Sequence, residues 1–256
     1  MKDPYVYQNS NILKNRANIR DEKQLKKMEA DYTVYRLSEL VVSDFESLFD
    51  CKSFRKVHYQ IFQDVYEWAG KFRTIDIEKP EPILGEISIE YSEYKNIAKE
   101  IEYTINEMSK ENWNDISVRK KAEKLSDYMA RLWKIHPYRD GNTRSVVTFC
   151  ALFIEAQGSY LDSSIFKDNA FYMRTALVAA TAIFQDLGDL RQVKHLFEIV
   201  YNALQEGREF EKSIINKIEN AECIATKNAI RKVAILIRKQ GTNLTKGEIR
   251  EILETE

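Results

Sequence analysis

The chain is poor in the residues that interrupt regular structure: its 256 residues include eight glycines and four prolines. So few breakers, together with many Ala, Leu, Ile, Lys and Glu residues, favour helices over strands and turns. The three cysteines, Cys51, Cys150 and Cys223, are too far apart to suggest a metal-ligand pair or a disulfide framework. We therefore expect an all-α fold in a reducing, cytoplasmic setting.

Neither sign of charge is in excess, because 39 Lys and Arg residues face 40 Asp and Glu residues. A broad nucleic-acid footprint needs a basic excess, so nucleic acid is not expected as a partner. The N-terminus lacks the apolar run of a signal peptide, and no stretch approaches the ~20 apolar residues that span a bilayer. The composition therefore predicts a globular protein with no membrane partner.

The densest group of chemically useful side chains lies in residues 135–144, which read Ile-His-Pro-Tyr-Arg-Asp-Gly-Asn-Thr-Arg. Apolar residues at helical spacing precede this stretch, and a nearly continuous apolar run follows it. Pro137 disfavours helical backbone at His136, and Gly141 tolerates a tight turn. The pattern predicts a sharp loop between two buried helices, with Asn142 as the N-cap of the second helix.

This loop has the chemistry of a metal–polyphosphate site. The free N–H groups of the second helix attract an anion, and Arg144 adds a forked donor for phosphate oxygens. Asp140 offers a hard oxygen ligand for Mg²⁺ held between protein and phosphates. His136 is the natural general base. The alternative interpretation is a solvated polar turn that contains one ordinary histidine.

The same residues resemble the signature of the Fic family, H-P-F-x-[D/E]-G-N-G/T-R-x-x-R, which lies between two helices of an all-helical core. In this chain Tyr138 replaces the Phe, the G-N-T-R run is intact, and Val147 replaces the final Arg. Residues 61–74 resemble a second family stretch, D-x-Y-x-W-A-G-x-x-R. The related Doc branch, a kinase, has N-K-R where this chain has N-T-R, which argues against that branch.

Family relatives with this signature mostly transfer AMP from ATP to a hydroxyl side chain of a protein. The resemblance therefore implies a protein adenylyltransferase that uses ATP and Mg²⁺ and modifies a Tyr, Ser or Thr of a target protein or of itself. It implies His136 as catalytic base and Asp140 as metal ligand. The implied nucleotide-binding residues are Arg139, Gly141, Asn142, Thr143, Arg144 and Tyr172, the last beside the adenine. Two alternatives stay open: transfer of another phosphate-containing group, and a catalytically silent interaction module.

One convincing strand pattern occurs, in residues 72–77, with further alternation at Ile87 and Ile89. We expect a strand over 72–77, broken by the Lys-Pro-Glu-Pro run at 79–82, as part of a short hairpin. In Fic proteins a flap at this place covers the nucleotide and docks the target backbone by strand addition. The resemblance makes the docking segment Thr74, Ile75, Asp76 and Ile77. A surface hairpin without a task is the alternative.

Helical periodicity and caps predict the remaining elements. The predicted helices cover residues 22–40 with Asp21 as cap, 54–70, 91–112, the stretch up to 135, the stretch from 142 to Gly158, 166–183, 196–204, 214–225 and 230–237. The expected organisation is an N-terminal arm and helix in 1–50, a Fic-type core in 51–205 and a C-terminal helical extension in 206–256. His58 and His195 are interpreted as structural histidines.

The C-terminal extension is also a candidate regulator. Many Fic proteins are restrained by a helix bearing [S/T]-x-x-x-E-[G/N], whose Glu displaces the γ-phosphate. Glu219 and Asn220 match part of this motif, with Ile215 where Ser or Thr belongs. The resemblance marks Glu219 as a candidate inhibitory residue, although its usual anchor is Val147 here, and a plain charged helix face is the alternative. A homo-oligomer and a separate inhibitor protein stay open as partners.

Overall fold

The computed structural model describes residues 3–42 and 49–219, and this part of the chain is almost entirely helical. It contains eight helices and two hairpins of two short strands each. The predicted all-α class with a short hairpin is thereby confirmed. None of the described helices is long and apolar enough to cross a lipid bilayer.

The N-terminal arm, residues 3–20, is irregular but anchored to the helical core. One antiparallel bridge joins Val6 to Leu13, and the Asn15 amide donates to the Leu13 carbonyl at 3.0 Å. Tyr5 packs edge-on against Trp68, with ring centroids 5.6 Å apart. The arm therefore has fixed partners, so a side chain carried on it can hold a position beside the core.

Helix α1 spans Glu22–Val42 and begins where its cap was predicted. The Asp21 carboxylate accepts the Gln24 N–H at 2.9 Å, which satisfies one of the free donors of the first turn. Leu25 and Leu40 are buried, and the helix packs mainly on the next one, α2. Helix α1 thus lies against the element that leads to the motif loop.

Helix α2 spans Cys51–Phe62 and is fixed at its start by a capping box between Asp50 and Ser53. The predicted end at residue 70 is wrong. The N–H groups of Val65 and Tyr66 both bond to the Phe62 carbonyl, and the chain then makes a series of turns up to residue 70. The polar groups of these turns bond to one another and to side chains rather than continuing the helix.

The first hairpin pairs β1, Pro80–Glu81, with β2, Ile87–Ser88, in antiparallel register. A turn of 3-10 helix, Pro82–Leu84, joins the two strands. The predicted strand over 72–77 is wrong, because the Arg73 N–H bonds to the Pro137 carbonyl and not to a neighbouring strand. The Lys-Pro-Glu-Pro run forms β1 instead of ending a strand, since proline is tolerated at an edge.

Three helices then build the scaffold of the motif loop. Helix α3 spans Ile97–Lys110, later than the predicted start at 91, and the Tyr94 N–H bonds to the Asp76 carboxylate rather than to a helix carbonyl. Helix α4, Val118–Ile135, is capped by Ser117, and helix α5 spans Asn142–Ala156. The predicted stop at Gly158 is confirmed by its left-handed φ of +77° and its bond to the Glu155 carbonyl.

In the last part of the described chain the helices begin and end at other residues than predicted. The predicted helix over 166–183 is two helices, α6, Ser164–Asp168, and α7, Ala170–Thr181. A second hairpin follows, β3, Ile183–Phe184, with β4, Gly188–Asp189. Helix α8, Lys194–Glu219, runs unbroken through the predicted boundary at 205/206. The predicted helix at 230–237 lies outside the described residues, and the division into core and extension stays a prediction.

The hydrophobic core is centred on α4, which packs against α3, α5, α7 and α8. Its fully buried side chains come from all of these helices and from α2, among them Phe54, Val57, Ile61, Leu125, Met129, Leu132, Phe149, Leu177 and Val200. Because α4 and α5 are both held in this core, the two ends of the loop between them are fixed.

Candidate active site

The motif loop, residues 136–141, connects the end of α4 to the start of α5. His136 adopts left-handed backbone with φ of +50°, and its N–H donates to the Trp133 carbonyl at 3.0 Å, which ends α4. Gly141, with φ of +79°, is the N-cap of α5. A Cβ at Gly141 would lie 2.4 Å from the Phe62 ring. The loop therefore turns as predicted and needs glycine at this position.

Asn142 braces the loop from inside the first turn of α5. Its Oδ1 accepts the Tyr138 N–H at 2.9 Å, and its Nδ2 donates to the Tyr138 carbonyl at 2.8 Å. The predicted N-cap at Asn142 is wrong, because Gly141 takes that place. The side chain is buried and bonds to the Tyr138 backbone through both Oδ1 and Nδ2, and its predicted phosphate contact stays a prediction.

Arg73 clips the motif loop from outside, although it is absent from the predicted site. Its buried guanidinium donates to the His136 carbonyl at 2.9 Å and also to the Ser92 carbonyl. Its own N–H donates to the Pro137 carbonyl at 2.8 Å. The sequence does contain a feature that marks Arg73, because it is the final Arg of the W-A-G-x-x-R pattern. The family resemblance assigned no function to that Arg.

The His136 ring is sealed from solvent, with 1% of the residue exposed. Tyr91 stacks on it at 3.9 Å between centroids, and Trp133 meets it edge-on at 5.1 Å. Neither ring nitrogen has a hydrogen-bond partner within the described chain. Burial, and then the charges of Lys79 and Arg174, lower the pKa of His136 well below its usual value. The imidazole is therefore neutral near pH 7, the form that accepts a proton.

Tyr91, which follows β2, covers this imidazole, and the hairpin that precedes Tyr91 is tied down at two points. The Lys79 ammonium lies 3.8 Å from Asp140 Oδ1. The buried Glu81 carboxylate accepts from Arg174 Nη2 of α7 at 2.6 Å. Burial raises the pKa of Glu81, against the effect of Arg174. A protein side chain can reach His136 only after both contacts break or the hairpin moves relative to them.

Asp140 is the open carboxylate of the loop. Its side chain is 45% exposed, and its Oδ1 accepts the Gly141 N–H at 2.7 Å. The surrounding protein raises the pKa of Asp140, but Lys79, the Gly141 N–H and Arg144 outweigh this, so the net pKa lies below its usual value. An ionised carboxylate at the mouth of the loop is consistent with the predicted metal ligand.

Both arginines of the motif are held by carboxylates from the N-terminal part of the chain. Arg139 Nε donates to Asp3 Oδ2 of the arm at 2.8 Å. Arg144 bonds to Glu29 of α1 through Nη2, and its guanidinium lies over the Phe62 ring at 4.6 Å from the centroid. The structure thus brings both predicted phosphate ligands to the loop, but with protein carboxylates already bound.

Two further predicted nucleotide contacts have partners of their own. The Thr143 hydroxyl accepts the Trp133 Nε1–H at 2.9 Å, which links the first turn of α5 to α4. Tyr172 is exposed on α7, and its hydroxyl lies 3.2 Å from His195 Nδ1. Arg174, two residues further along α7, reaches the hairpin, so α7 flanks the cover of the site. The adenine contact of Tyr172 stays a prediction.

The predicted docking segment, Thr74 to Ile77, bends at Thr74 and Ile75 and lies outside the hairpin ladder. The Asp76 carboxylate accepts the Tyr94 N–H at 2.8 Å, and the Thr74 N–H donates to the Tyr5 hydroxyl at 3.0 Å. The candidate inhibitory Glu219 is the last residue of α8, and its side chain lies outside the described residues. Docking and inhibition stay predictions for these positions.

His58 is structural, as interpreted, and it connects the end of the α2 turns to the motif loop. Its Nδ1 accepts the Gly70 N–H at 2.9 Å, and its Nε2 lies 3.1 Å from the Asp140 carbonyl. A carbonyl only accepts, so the ring is the neutral tautomer that carries its proton on Nε2. Burial lowers the pKa of His58 to about 3, which agrees with this neutral form.

Two surface grooves border α4, of about 700 and 480 Å³. The larger lies between α3 and α4, and the smaller lies between α4 and the second hairpin. Neither is lined by His136 or Asp140. The motif loop lies outside both grooves, with His136 buried and the Asp140 carboxylate partly exposed.

The structure is a helical core in which an H-P-Y-x-D-G-N-T-R loop joins two buried helices. This arrangement is typical of one protein family, and comparison with known proteins identifies the same family. The model of the Fic/DOC family matches residues 48–154. Protein adenylyltransferase VbhT of Bartonella schoenbuchensis is 27% identical over 160 residues, which cover 62% of this chain and 32% of that protein. The probable protein adenylyltransferase y4lH of Sinorhizobium fredii is 31% identical over 173 residues, covering 67% of this chain and 85% of that protein.

Solved structures show the same fold. BepC of Bartonella tribocorum with bound AMPPNP superposes with a TM-score of 0.64 at 20% identity, covering 78% of this chain and 95% of that one. The N-terminal Fic domain of Bep8 from Bartonella sp. 1-1C superposes with a TM-score of 0.65 at 22% identity, covering 78% of this chain and 94% of that one. The chain belongs to the Fic/DOC family, which confirms the resemblance of the motif loop. It spans about a third of the length of VbhT.

Proposed function

We propose that the chain is a protein adenylyltransferase that transfers AMP from Mg·ATP to the hydroxyl of a protein side chain. The observation that carries the proposal is the motif loop, where a neutral imidazole, an ionised carboxylate and a helix N-terminus meet in one bend. Relatives that bear this activity in their names support it. Because much of VbhT has no counterpart in this chain, its substrates are not carried over.

In the proposed reaction, the hydroxyl oxygen of the target attacks the α-phosphorus of ATP. The bond between that phosphorus and the oxygen bridging to the β-phosphate breaks, and pyrophosphate leaves. His136 takes the hydroxyl proton on the ring nitrogen that faces the target. A base with a depressed pKa is already deprotonated at neutral pH, so no prior proton loss is needed.

The first turn of α5 is the proposed phosphate cradle. The first bond within the helix runs from the Ser145 N–H to the Gly141 carbonyl at 3.1 Å. The N–H groups of Asn142, Thr143 and Arg144 therefore have no intrahelical acceptor and are available to phosphate oxygens. Once released from their carboxylates, Arg139 and Arg144 would add positive charge at the same end.

Asp140 fits a Mg²⁺ ion that bridges protein and phosphates. The carboxylate is ionised and partly exposed, and no group of three or more metal-ligating side chains occurs among the described residues. Mg²⁺ commonly uses one or two carboxylates and takes its other ligands from phosphates and water, so a single aspartate is sufficient. When bound, the ion would neutralise phosphate charge, while Asp140 fixes its place next to the cradle.

The hairpin is the proposed target-facing element. It exposes Ile83 and Ile87, and residues 74–77 lie just before it. An extended target segment that bonds to this backbone would bring one hydroxyl over the loop, as strand addition does elsewhere. Since Tyr91, just after the hairpin, covers His136 in this structure, docking of the target and exposure of the base are coupled in the proposal.

The activity is tested with ATP labelled on the α-phosphate or the γ-phosphate, incubated with the purified chain and a cell lysate. The proposal expects α-label, but not γ-label, on protein bands, with mass spectrometry locating AMP on Tyr, Ser or Thr, including residues of the chain itself. Transfer of γ-label would indicate a kinase. No label and no binding of Mg·ATP would indicate an interaction module.

The base assignment is tested with His136→Ala. We expect transfer of α-label to fall at least about 100-fold, as is typical when a general base is lost. The affinity for Mg·ATP, measured by calorimetry, should stay within about threefold because His136 does not bind phosphate in the proposal. A control for a surface substitution is Tyr103→Ala, at an exposed residue of α3. Undiminished labelling by His136→Ala would refute its role.

A further inference from the structure

One lysine of the hairpin points to the motif loop. The Lys79 ammonium lies 3.8 Å from Asp140 Oδ1, and its side chain is 19% exposed. This distance exceeds that of a hydrogen bond, so the two charges are neighbours without a directional bond. The Lys79 main chain is fixed, because its N–H donates to Ser88 Oγ of β2 at 2.9 Å.

Lys79 directly precedes β1, and the direction of its side chain follows from that strand. Alternate residues of an extended strand lie on the same face, so Lys79 and Glu81 both face the protein while Pro80 is exposed. Glu81 is ion-paired with Arg174 of α7 at 2.6 Å. This pair balances the Arg174 charge and pins the hairpin to α7, which leaves Lys79 as the hairpin cation that faces the loop.

The charges around the loop are otherwise matched by protein carboxylates. Arg139 is paired with Asp3, and Arg144 is paired with Glu29. Among the described residues the Lys79 ammonium forms an ion pair only with Asp140, with the Glu81 charge acting more weakly, and Asp140 is the residue proposed to ligate Mg²⁺. When Asp140 binds a metal ion, Lys79 would lose its anion and face a second cation.

We propose that Lys79 is a phosphate-binding residue of the nucleotide site. In the complex with Mg·ATP its ammonium leaves Asp140 and contacts a phosphate oxygen, so the hairpin contributes charge as well as cover. Without nucleotide the same ammonium occupies the approach to Asp140 and competes with the metal ion. This inference rests on the proposed function and adds to it a ligand group from outside the motif.

The proposal expects opposite effects of one substitution on two ligands. Lys79→Gln should weaken binding of ATP at saturating Mg²⁺ about tenfold, as loss of one charge-assisted contact does. The same variant should bind Mn²⁺ alone, without nucleotide, about threefold tighter, because a competing charge has been removed. Lys79→Arg keeps the charge and should bind ATP within about threefold of the unsubstituted chain.

The measurements are calorimetry for Mg·ATP and electron paramagnetic resonance for Mn²⁺, both on the full chain without a target protein. Lys71→Gln is the matched control, since Lys71 is an exposed lysine that precedes the hairpin. Lys79→Met, which keeps most of the side-chain length, repeats the test should the Gln variant unfold at a lower temperature. Neither Mg·ATP nor Mn²⁺ affinity should change in Lys71→Gln.

The outcomes separate this inference from the proposed function. Weaker ATP binding with tighter Mn²⁺ binding in the Lys79 variants supports the phosphate role. Unchanged ATP binding in a chain that binds Mg·ATP overturns the role of Lys79 and leaves the adenylyltransferase proposal intact. Weaker binding of both ligands would mean that the substitution only loosens the hairpin, which also overturns it. Failure of the unsubstituted chain to bind Mg·ATP overturns both.

Discussion

Glu29 of α1 holds Arg144 of the motif. Arg144 bonds to Glu29 Oε1 through Nη2 and donates to Thr33 Oγ1 at 3.1 Å, and the second Glu29 oxygen accepts from the Tyr66 hydroxyl. The Glu29 side chain is 15% exposed, so this ion pair is less screened by solvent than a surface pair. Arg144 must therefore exchange a protein carboxylate for a phosphate before it can bind ATP.

Glu29→Gln is expected to strengthen binding of Mg·ATP about fivefold to tenfold. The amide keeps the size of the side chain but removes the negative charge that competes with phosphate for Arg144, a difference of about 1 kcal/mol. Calorimetry on the His136→Ala background measures the affinity without turnover. The carboxylate lies ahead of the family segment at 48–154, whereas the candidate from the sequence, Glu219, lies after it.

The matched control for this test is Glu22→Gln, on the same helix, where the carboxylate pairs with the exposed Lys26. That variant should bind ATP as the unsubstituted chain does. In a double-substitution cycle, Arg144→Ala should abolish the gain from Glu29→Gln. Equal affinities of the Glu29→Gln and Glu22→Gln variants would show that Glu29 does not compete with phosphate for Arg144.

Gly141→Ala is expected to destabilise the fold by about 2–5 kcal/mol. A left-handed φ costs a non-glycine residue about 1–2 kcal/mol, and overpacking against Phe62, whose ring lies 2.4 Å from the added Cβ, adds about 1–3 kcal/mol. Gly158→Ala isolates the first effect, because φ is +77° there and nothing lies within 4 Å of the added Cβ. Urea unfolding measures both.

The two alanine variants should differ in free energy of unfolding by the cost of the contact between the added Cβ and Phe62. Phe62→Leu combined with Gly141→Ala should recover part of the lost free energy of unfolding, since the smaller side chain leaves room for the Cβ. If Gly141→Ala and Gly158→Ala cost the same, the close packing of α2 on the motif loop is not what demands glycine at position 141.

Local patterns in the sequence were sufficient to predict the loop and its scaffold. Apolar residues at helical spacing place α4 and α5 on either side of it, and Pro137 and Gly141 mark the turn. Asp21, the predicted cap of α1, accepts the expected N–H. These features depend on residues within a few positions of one another, where spacing alone carries the information.

Contacts between distant parts of the chain were not predictable in this way. Glu29, Arg73 and Lys79 reach the loop from elements far away in sequence, and no periodicity marks such partners. The alternation in 72–77 predicts a strand, but the segment packs against the motif loop, with Arg73 buried, Phe72 half-buried and Thr74 exposed. Alternation reports one buried face, whereas a strand also needs a bonded neighbour.

A pH-dependent stability is expected from His58. Its pKa falls from 6.5 to about 3 on folding because the ring is buried, so the unfolded chain takes up a proton in a range where the folded chain does not. The stabilisation is therefore complete above pH 6.5 and is lost as the pH falls toward 3. At pH 5.5 the loss from one such histidine is about 1.4 kcal/mol.

His58→Gln removes this titration, so the decrease in free energy of unfolding between pH 7.5 and 5.5 should be about 1.4 kcal/mol smaller than in the unsubstituted chain. Tyr59→Phe, at an exposed residue of the same helix, should leave the decrease unchanged. Urea unfolding at the two pH values gives both differences, in which carboxylate titrations cancel. Protonation of His58 would place a second N–H opposite the Gly70 N–H, which breaks that hydrogen bond. If the decrease in free energy of unfolding is the same in His58→Gln as in the unsubstituted chain, the bonds from His58 to Gly70 and Asp140 break before the ring is protonated.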